Sequence, residues 1–296
     1  MEVYAIINPV SGARKPVEAL RYLRTRLAHE GIRMVCRVSA GPGDAARLAR
    51  NVPPHARAIL VVGGDGTVRE VVEGRTGPNP PIVILPTGTE NLVAKAFGMS
   101  PDPNDTAERI LHGTAQGVDV GLLNGRRFLL VSGIGFDAEV VDRLHRTRRG
   151  HISHLDYFWP TWRTFWAHGF PPVRVDVDGA RFFEGRGLVF VGLLNRYAVG
   201  LRILPMARHD DGLMDVCVFP CASRPRLLGH SLRTLLRRHV GRGGVLYTQC
   251  RTATARSDQA VAVQMDGDYA GALPATYGIV PSAASFLTLR RSVSLQ

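Results

Sequence analysis

The sequence lacks the features that mark several protein classes. Its four cysteines, at positions 36, 217, 221 and 250, form no CxxC pair, which argues for reduced thiols and against a structural zinc site. No apolar run reaches the ~18 residues that a membrane-spanning helix needs. The strand-like start at residues 3–7 follows an acidic residue, where a signal peptide would be basic. We therefore expect a cytoplasmic protein that is soluble or associated with a membrane at its surface.

Lysine is also scarce, because only Lys15 and Lys95 occur and arginine carries nearly all the positive charge. The 37 Lys and Arg residues outnumber the 25 Asp and Glu residues, and the net charge is +12. Such a surface favours nucleic acid, acidic lipid headgroups or phosphorylated substrates. Genome composition explains the arginines equally well, so charge alone selects no function. The length of 296 residues suits roughly two domains.

The first third of the chain alternates strand-like and helix-like segments. Strand-like apolar runs occupy residues 3–8, 32–38, 58–62 and 81–85, with helical spacing of apolar residues between them. This rhythm predicts a parallel sheet with right-handed crossovers, whose ligand site lies beyond the carboxyl ends of the strands. Beyond residue 118 short strand-like runs dominate, which predicts a second, mainly antiparallel β domain.

Three predicted strand ends carry polar loops with glycine: NPVSG at 8–12, GGDGT at 63–67 and PTGTEN at 86–91. Glycine lets backbone N–H groups approach a phosphate, and a following helix directs its positive end there. Asp65 would repel phosphate unless a cation such as Mg²⁺ lay between them. A lone Gly-Asp-Gly indicates only a turn, but three such loops predict one nucleotide site. No GxxxxGK[ST] motif is present, so the site is not of the Walker type.

These loops begin a longer series of motifs. Asp119-Val120-Gly121, DDGLMDV at 210–216 and MDGD at 265–268 follow them in order. The whole series resembles the diacylglycerol kinase catalytic-domain family, in its bacterial lipid kinase branch, which is related to the NAD kinase and phosphofructokinase-like superfamily. GGDGT alone is shared with those relatives, whereas the combination is specific and covers almost the whole chain.

The resemblance implies the fold and the reaction. It implies an α/β nucleotide-binding domain with a parallel sheet over residues 1–122 and a mainly antiparallel β-sandwich domain over residues 123–280, with a tail, 281–296, returning to the first domain. The implied activity is transfer of the γ-phosphate of ATP to a lipid hydroxyl at a membrane surface, with Mg²⁺ as the cofactor. Nucleic acid is not an expected partner, and a homodimer is left open.

The resemblance also implies roles for individual residues. Nucleotide contacts are implied for Asn8, Pro9, Ser11, Gly12, Ser39, Gly63, Gly64, Asp65, Gly66, Thr67, Glu70, Gly88, Thr89 and Asn91, with Asp268 near the reaction where the family usually has Glu. Asp65 and Asp119 match carboxylates that organise the catalytic Mg²⁺ through water, and Asp266 matches the general base. A structural Mg²⁺ is implied at Asp211 with the backbone carbonyls of Arg208 and Leu213.

Several alternatives stay open. Asp211-Gly212 and Asp266-Gly267 could be simple turns, and Leu92 stands where relatives often have Asp, which raises the alternative of a catalytically weak nucleotide-binding regulator. An NAD kinase-like phosphotransferase would use the same GGDGT loop. The stretch at 195–200 keeps only one of the family's usual glycines.

Two basic segments with large apolar residues, 140–169 and 224–242, bear on membrane access. The tryptophans at 159, 162 and 166 could be an interfacial anchor or a core stripe. The leucines at 227, 228, 232, 235 and 236 could pack on the β domain or lie in an anionic bilayer interface.

Overall fold

The computed structural model describes residues 1–12, 16–75, 77–147, 158–197 and 200–289. Its internal contacts divide the chain into two compact units. The first unit comprises Met1–Val118 and Ser282–Gln296, and the second comprises Asp119–Pro281. Two predictions concern residues outside these ranges. The predicted tail at 281–296 is described only to residue 289, and the stretch at 195–200, which differs from the family's glycine-rich pattern, lacks residues 198–199.

The first unit is an α/β structure. Its strands are β1 (Glu2–Ile7), β2 (Arg33–Val38), β3 (Ala58–Gly63) and β4 (Ile82–Pro86), and its helices are α1 (Val17–His29), α2 (Asp44–Arg50), α3 (Asp65–Glu73), α4 (Leu92–Ala96) and α5 (Pro103–His112). The strands pair in parallel in the order β4-β3-β1-β2. Every residue of β3 and β4 is buried, as expected for central parallel strands covered on both faces. The predicted parallel sheet is therefore confirmed.

The second unit is built mainly of strands. Its elements are β5 (Thr114–Leu123), β6 (Arg126–Phe128), β7 (Val131–Ile134), α6 (Phe136–Thr147), α7 (Phe158–Ala167), β8 (Pro172–Val177), β9 (Ala180–Gly192), β10 (Met214–Pro220), α8 (Arg224–Leu235), β11 (Leu246–Cys250), β12 (Thr252–Arg256), β13 (Ala262–Met265), β14 (Asp268–Ala272) and β15 (Ala275–Thr288). The division between the units falls within β5 and within β15, whose Phe286 pairs in parallel with β4.

Two antiparallel sheets make up the second unit. One runs β14-β13-β7-β9-β10-β11, and the other runs β9-β8-β12-β15. Strand β9 belongs to both, because its residues up to Arg186 pair with β8 and those from Gly187 onward pair with β10. Gly185, with φ at +151°, precedes this change of sheet in a conformation that only glycine adopts readily. The predicted β-sandwich is confirmed.

The first of these sheets is apolar on both faces. Val189 and Val191 of β9 point into the sandwich core, the buried cluster between the two sheets. Leu188 and Phe190 point the other way into a second cluster, the outer core, which includes Leu227 of α8. The alternation follows from the period of two in a strand. Helices α7 and α8 therefore pack over a core of their own.

None of the helices within the described ranges combines the length and the apolar character needed to cross a bilayer.

Candidate active site

The three glycine-bearing loops of the first unit meet at one edge of its sheet. Asn8 Nδ2, after β1, donates to Thr67 Oγ1 of α3 at 2.9 Å. Thr87 Oγ1, after β4, donates to Ser11 Oγ at 3.1 Å. Since parallel strands end at the same edge, the sequence expectation that these loops lie together agrees with the structure.

Close backbone approach in this cluster requires glycine at particular positions. A Cβ on Gly88 would stand 2.8 Å from the Cα of Gly64, and one on Gly12 would stand 1.7 Å from the carbonyl oxygen of Thr87. Gly12 also has φ at +78°, which favours glycine. Gly66 differs, because it is exposed and a Cβ there would meet nothing within 4 Å. The loops are thus tightly packed on one another and open at the start of α3.

Asp65 holds the beginning of α4. Its two carboxylate oxygens accept hydrogen bonds from the backbone N–H groups of Leu92 and Val93, each at 2.9 Å. Burial raises the pKa of this carboxyl, and the two N–H groups oppose that rise. The carboxylate therefore couples the GGDGT and PTGTEN loops, and its predicted role towards Mg²⁺ stays a prediction.

Leu92 stands where relatives often have Asp, but the link between the two loops does not depend on its side chain. Leu92 contributes its backbone N–H to Asp65. Glu90 pairs with Lys95 Nζ at 3.7 Å.

Other residues expected near the nucleotide have different surroundings. Ser39 is buried after β2, with Oγ donating to the Ile7 carbonyl at 3.3 Å. Glu70 Oε2 accepts the Ala45 N–H at 3.2 Å and so ties α3 to the first turn of α2. Pro9 and Thr89 are exposed. The contacts of Glu70 are those of a structural link between two helices.

In the second unit, Asp119 anchors the DDGL loop. This buried residue of β5 donates its N–H to the His209 carbonyl at 2.8 Å, and its Oδ2 accepts the Gly212 N–H at 2.7 Å. Asp211 Oδ1 accepts the Leu213 N–H at 3.1 Å, while the Arg208 side chain bonds Asp210. Asp119 is thereby connected to the loop that was predicted to hold a metal.

The DDGLMDV motif includes Asp215, for which no role was predicted, and this residue lies beside that loop. It is fully buried and accepts hydrogen bonds from Tyr247 Oη at 2.6 Å and from Gln249 Nε2 at 3.4 Å. Gln249 donates to Asp211 at 3.4 Å as well. Burial raises the pKa of Asp215, and the negative charge of Asp211 adds to this.

Asp211 offers carboxylate oxygens in this loop, a type of ligand that Mg²⁺ prefers, so the loop fits a Mg²⁺ that keeps several waters. No cluster of three or more His, Cys, Asp or Glu side chains suited to a metal occurs among the residues that the structure describes. A metal at Asp211 would therefore depend on backbone carbonyls and water.

Asp266 occupies the turn between β13 and β14. Asp266 and Gly267 have φ at +52° and +85°, the combination found in tight two-residue hairpins. The Asp266 carboxylate accepts the backbone N–H groups of Leu129, Leu130 and Val131 at 2.9, 2.8 and 3.2 Å. These contacts fix the orientation of the carboxylate, and its predicted role as the proton acceptor stays a prediction.

A second polar network missed by sequence reasoning surrounds Asp137 of α6. Tyr197 Oη and Gln264 Nε2 both donate to its carboxylate, the latter at 2.9 Å. Burial raises the pKa of Asp137. Gln264 Oε1 also accepts the Gly267 N–H at 2.9 Å, so the network supports the hairpin that carries Asp266 and Asp268. A single Asp after a strand carries no sequence signal for such a role.

Comparison with known proteins agrees with this architecture. Residues 2–123 match the diacylglycerol kinase catalytic domain family, and residues 131–288 match the family described as the YegS C-terminal NAD kinase beta sandwich-like domain. A diacylglycerol kinase of Mycobacterium tuberculosis is 32% identical over 98% of this chain and 96% of its own length. One from Bacillus subtilis is 24% identical over 92% of this chain and 91% of its own.

The fold has solved counterparts. A crystal structure of a diacylglycerol kinase from Bacillus anthracis covers 99% of this chain and 98% of its own, with a TM-score of 0.73 at 20% identity. The chain belongs to the diacylglycerol kinase catalytic-domain family. It is a kinase that phosphorylates an alcohol group.

Because the position of Gly66 is open, we predict that a substitution there weakens nucleotide binding without lowering the stability of the protein. Gly66→Ala should leave the unfolding midpoint unchanged or raise it, since Ala is favoured over Gly in a helix by up to about 1 kcal/mol. The added methyl group should obstruct a bound phosphate and weaken binding of a non-hydrolysable ATP analogue by at least about tenfold, as measured by calorimetry.

Two matched variants complete the Gly66 experiment. Gly278→Ala, also in open space, should leave the affinity unchanged and should not lower the unfolding midpoint. Gly12→Ala should lower the unfolding midpoint, because its Cβ has no room. Unchanged affinity in a well-folded Gly66→Ala protein would place the nucleotide elsewhere.

The raised pKa of Asp137 predicts a pH trend. The folded protein keeps the Asp137 proton at pH values where the unfolded chain, with a pKa of about 3.9, has lost it. The contribution of this group to stability is therefore full below that value and declines as the pH rises towards the folded-state pKa. Asp137→Asn cannot titrate, so its unfolding midpoint relative to wild type should climb as the pH is raised from about 4. A constant difference across the pH range would contradict the assignment.

Proposed function

We propose that this protein is an ATP- and Mg²⁺-dependent lipid kinase that phosphorylates a diacylglycerol-like hydroxyl in the cytoplasm, at the surface of a membrane. The observation that carries the proposal is the junction of the three loops, which is closed by glycine contacts on one side and open at Gly66. Helix α3 begins beside this opening, and the N-terminus of a helix suits the phosphates of a nucleotide.

In the first unit, Asp65 is the carboxylate that would hold the catalytic Mg²⁺. In the second unit, Asp119 keeps its proposed role towards Mg²⁺, and Asp211 with the carbonyls of Arg208 and Leu213 would hold a structural ion. A bound Mg²⁺ supplies neutralisation of the phosphate charge, on which phosphoryl transfer largely depends. Asp65 and Asp119 each fix a loop by accepting backbone N–H groups, so both carboxylates have their positions set before any ion binds.

For the proton acceptor we propose Asp268 in place of Asp266. Asp268 is the half-buried first residue of β14, two residues beyond Asp266, whose carboxylate accepts the N–H groups of Leu129, Leu130 and Val131. In the proposed reaction the acceptor oxygen bonds the γ-phosphorus and the bond from that phosphorus to the bridging β–γ oxygen breaks. The hydroxyl proton passes to the Asp268 carboxylate, and ADP leaves.

The proposal that the acceptor is a lipid is supported by the relatives of this chain and not by a contact within it. The Mycobacterium tuberculosis and Bacillus subtilis relatives are named diacylglycerol kinases, and both align over most of this chain. An NAD kinase-like activity is the second candidate, because the family matching residues 131–288 is described as NAD kinase-like in its β-sandwich.

Transfer of label from γ-labelled ATP tests the proposal. With Mg²⁺, label should appear in diacylglycerol presented in mixed micelles, and it should disappear when the metal is chelated. Parallel reactions contain monoacylglycerol, phosphatidylglycerol, sphingosine or ceramide, and one contains NAD. Label in NADP would move the assignment to dinucleotide kinases, and nucleotide binding without any labelled product would identify a non-catalytic member.

Paired substitutions distinguish the two carboxylates of the MDGD hairpin. Asp268→Asn should reduce turnover by at least about a hundredfold, the usual range for losing a general base. Its nucleotide affinity and unfolding midpoint should be retained. Asp266→Asn should instead destabilise the protein by about 2 kcal/mol, because its amide group faces backbone donors. A stable, inactive Asp266→Asn protein beside an active Asp268→Asn protein would restore Asp266 as the base.

A further inference from the structure

Helices α7 and α8 expose a large amount of apolar surface. Eight aromatic and leucine side chains on or directly after these helices are between 48% and 65% exposed: Phe158, Trp159, Trp162, Trp166, Leu228, Leu232, Leu235 and Leu236. The predicted alternative of a tryptophan core stripe is therefore wrong. The predicted alternative that the leucines pack on the β domain is correct for Leu227, which is buried, and not for the other four, which are exposed. Monomeric soluble proteins rarely leave a contiguous apolar patch of this kind uncovered.

Each helix has an inner face that holds it to the protein, so the exposed residues are an outer face. In α7 the buried residues are Pro160 and Thr164, opposite the tryptophans, which recur at spacings of three and four. In α8 the buried residues are Leu227, His230 and Thr234. The apolar outer faces are thus not needed for packing within the described part of the chain.

The two helices are joined where the end of α7 meets the start of α8. Arg224, at the start of α8, donates through Nε to the Phe165 carbonyl at 3.0 Å and through a second nitrogen to the Trp166 carbonyl. Its guanidinium carbon also lies 5.5 Å from the centre of the Trp166 ring. Arg224, in the first turn of α8, thereby satisfies carbonyl groups at the end of α7.

The two segments that carry these helices have charged side chains of one sign. Residues 158–170 and 221–247 contain no Asp or Glu, whereas they contain the arginines at positions 163, 224, 226, 233, 237, 238 and 242. Exposed tryptophans beside arginines suit the headgroup region of a bilayer, where the ring is amphipathic and the cation meets lipid phosphate. A protein partner is a weaker fit, because seven cations without one acid demand a strongly acidic partner face.

We propose that α7 and α8 together form a docking surface for a bilayer containing anionic lipid, with the tryptophans and leucines inserted at the interface and the arginines on the headgroups. This inference rests on the proposed function, since it names how a lipid kinase would reach its acceptor. It uses none of residues 148–157, which lie outside the described ranges.

The tryptophan content makes a direct test available. All three tryptophans of the chain lie on α7, so intrinsic fluorescence reports on that helix alone. Adding vesicles of phosphatidylcholine mixed with phosphatidylglycerol to the full chain should shift the emission to the blue, and brominated lipid in those vesicles should quench it. Vesicles of phosphatidylcholine alone should have a much weaker effect.

Substitutions on α8, which contains no tryptophan, test whether the two helices act as one surface. Leu228→Ser combined with Leu232→Ser and Leu235→Ser should weaken vesicle binding by at least about tenfold and reduce the quenching on α7. Because these leucines are exposed, the unfolding midpoint should be retained. Val17→Ser, which changes an exposed apolar residue of the first unit, should alter nothing.

The charge is tested separately. Replacing Arg226 and Arg238 by Gln should weaken binding to anionic vesicles by about fivefold for each arginine, the equivalent of about 1 kcal/mol. The same two changes at Arg21 and Arg24 of α1 remove equal charge and should have little effect.

Vesicle binding and turnover separate the two proposals. The α8 variant should retain its activity on a short-chain, water-soluble diacylglycerol and lose activity on the same headgroup embedded in vesicles. Vesicle binding without transfer to either acceptor would overturn the proposed function and leave docking standing. Unchanged binding in the leucine and arginine variants would overturn docking. Docking would also be overturned if the protein bound no vesicles and instead self-associated in sedimentation experiments, and if these variants abolished that self-association.

Discussion

The edge of the first unit's sheet where the three glycine-bearing loops meet depends on one carboxylate that is bonded to the backbone. Asp65 accepts two N–H groups from the start of α4, and this bond joins the loop after β3 to the loop after β4. The glycine contact between Gly64 and Gly88 is possible because the two loops are held at that distance. The opening at Gly66, and with it the proposed phosphate site, follows from this arrangement.

The second unit uses the same kind of interaction at other positions. Asp119 accepts an N–H from the DDGL loop. Asp266 accepts two from the connection between β6 and β7 and a third from the first residue of β7. Carboxylates that the family resemblance assigns to metal and proton chemistry are therefore also the groups that organise loops. Neutral substitutions at these positions change local structure and chemistry together, and for this reason Asp268 is the more informative position for testing the base.

The sequence was sufficient for the fold class and for the meeting of the three loops, because strand periodicity and parallel topology place strand ends at a common edge. It was not sufficient for the partners of the carboxylates, since backbone N–H groups carry no residue-specific signal. The sequence also did not decide which face of α7 and of α8 is turned to solvent. Helical spacing shows that Trp159 and Trp162 share a face, but only packing against the outer core shows that this face is turned to solvent.

The presence of two apolar clusters on opposite faces of one sheet has a consequence for local stability. Strand β9 contributes Val189 to the sandwich core and Leu188 to the outer core, so the clusters share strands but not side chains. Opening of α7 and α8 would expose the outer core while the sandwich core stays covered. Amide hydrogens of these helices would then exchange through partial opening at a lower free energy than those of β9, and the molecule could adjust one face without unfolding the rest.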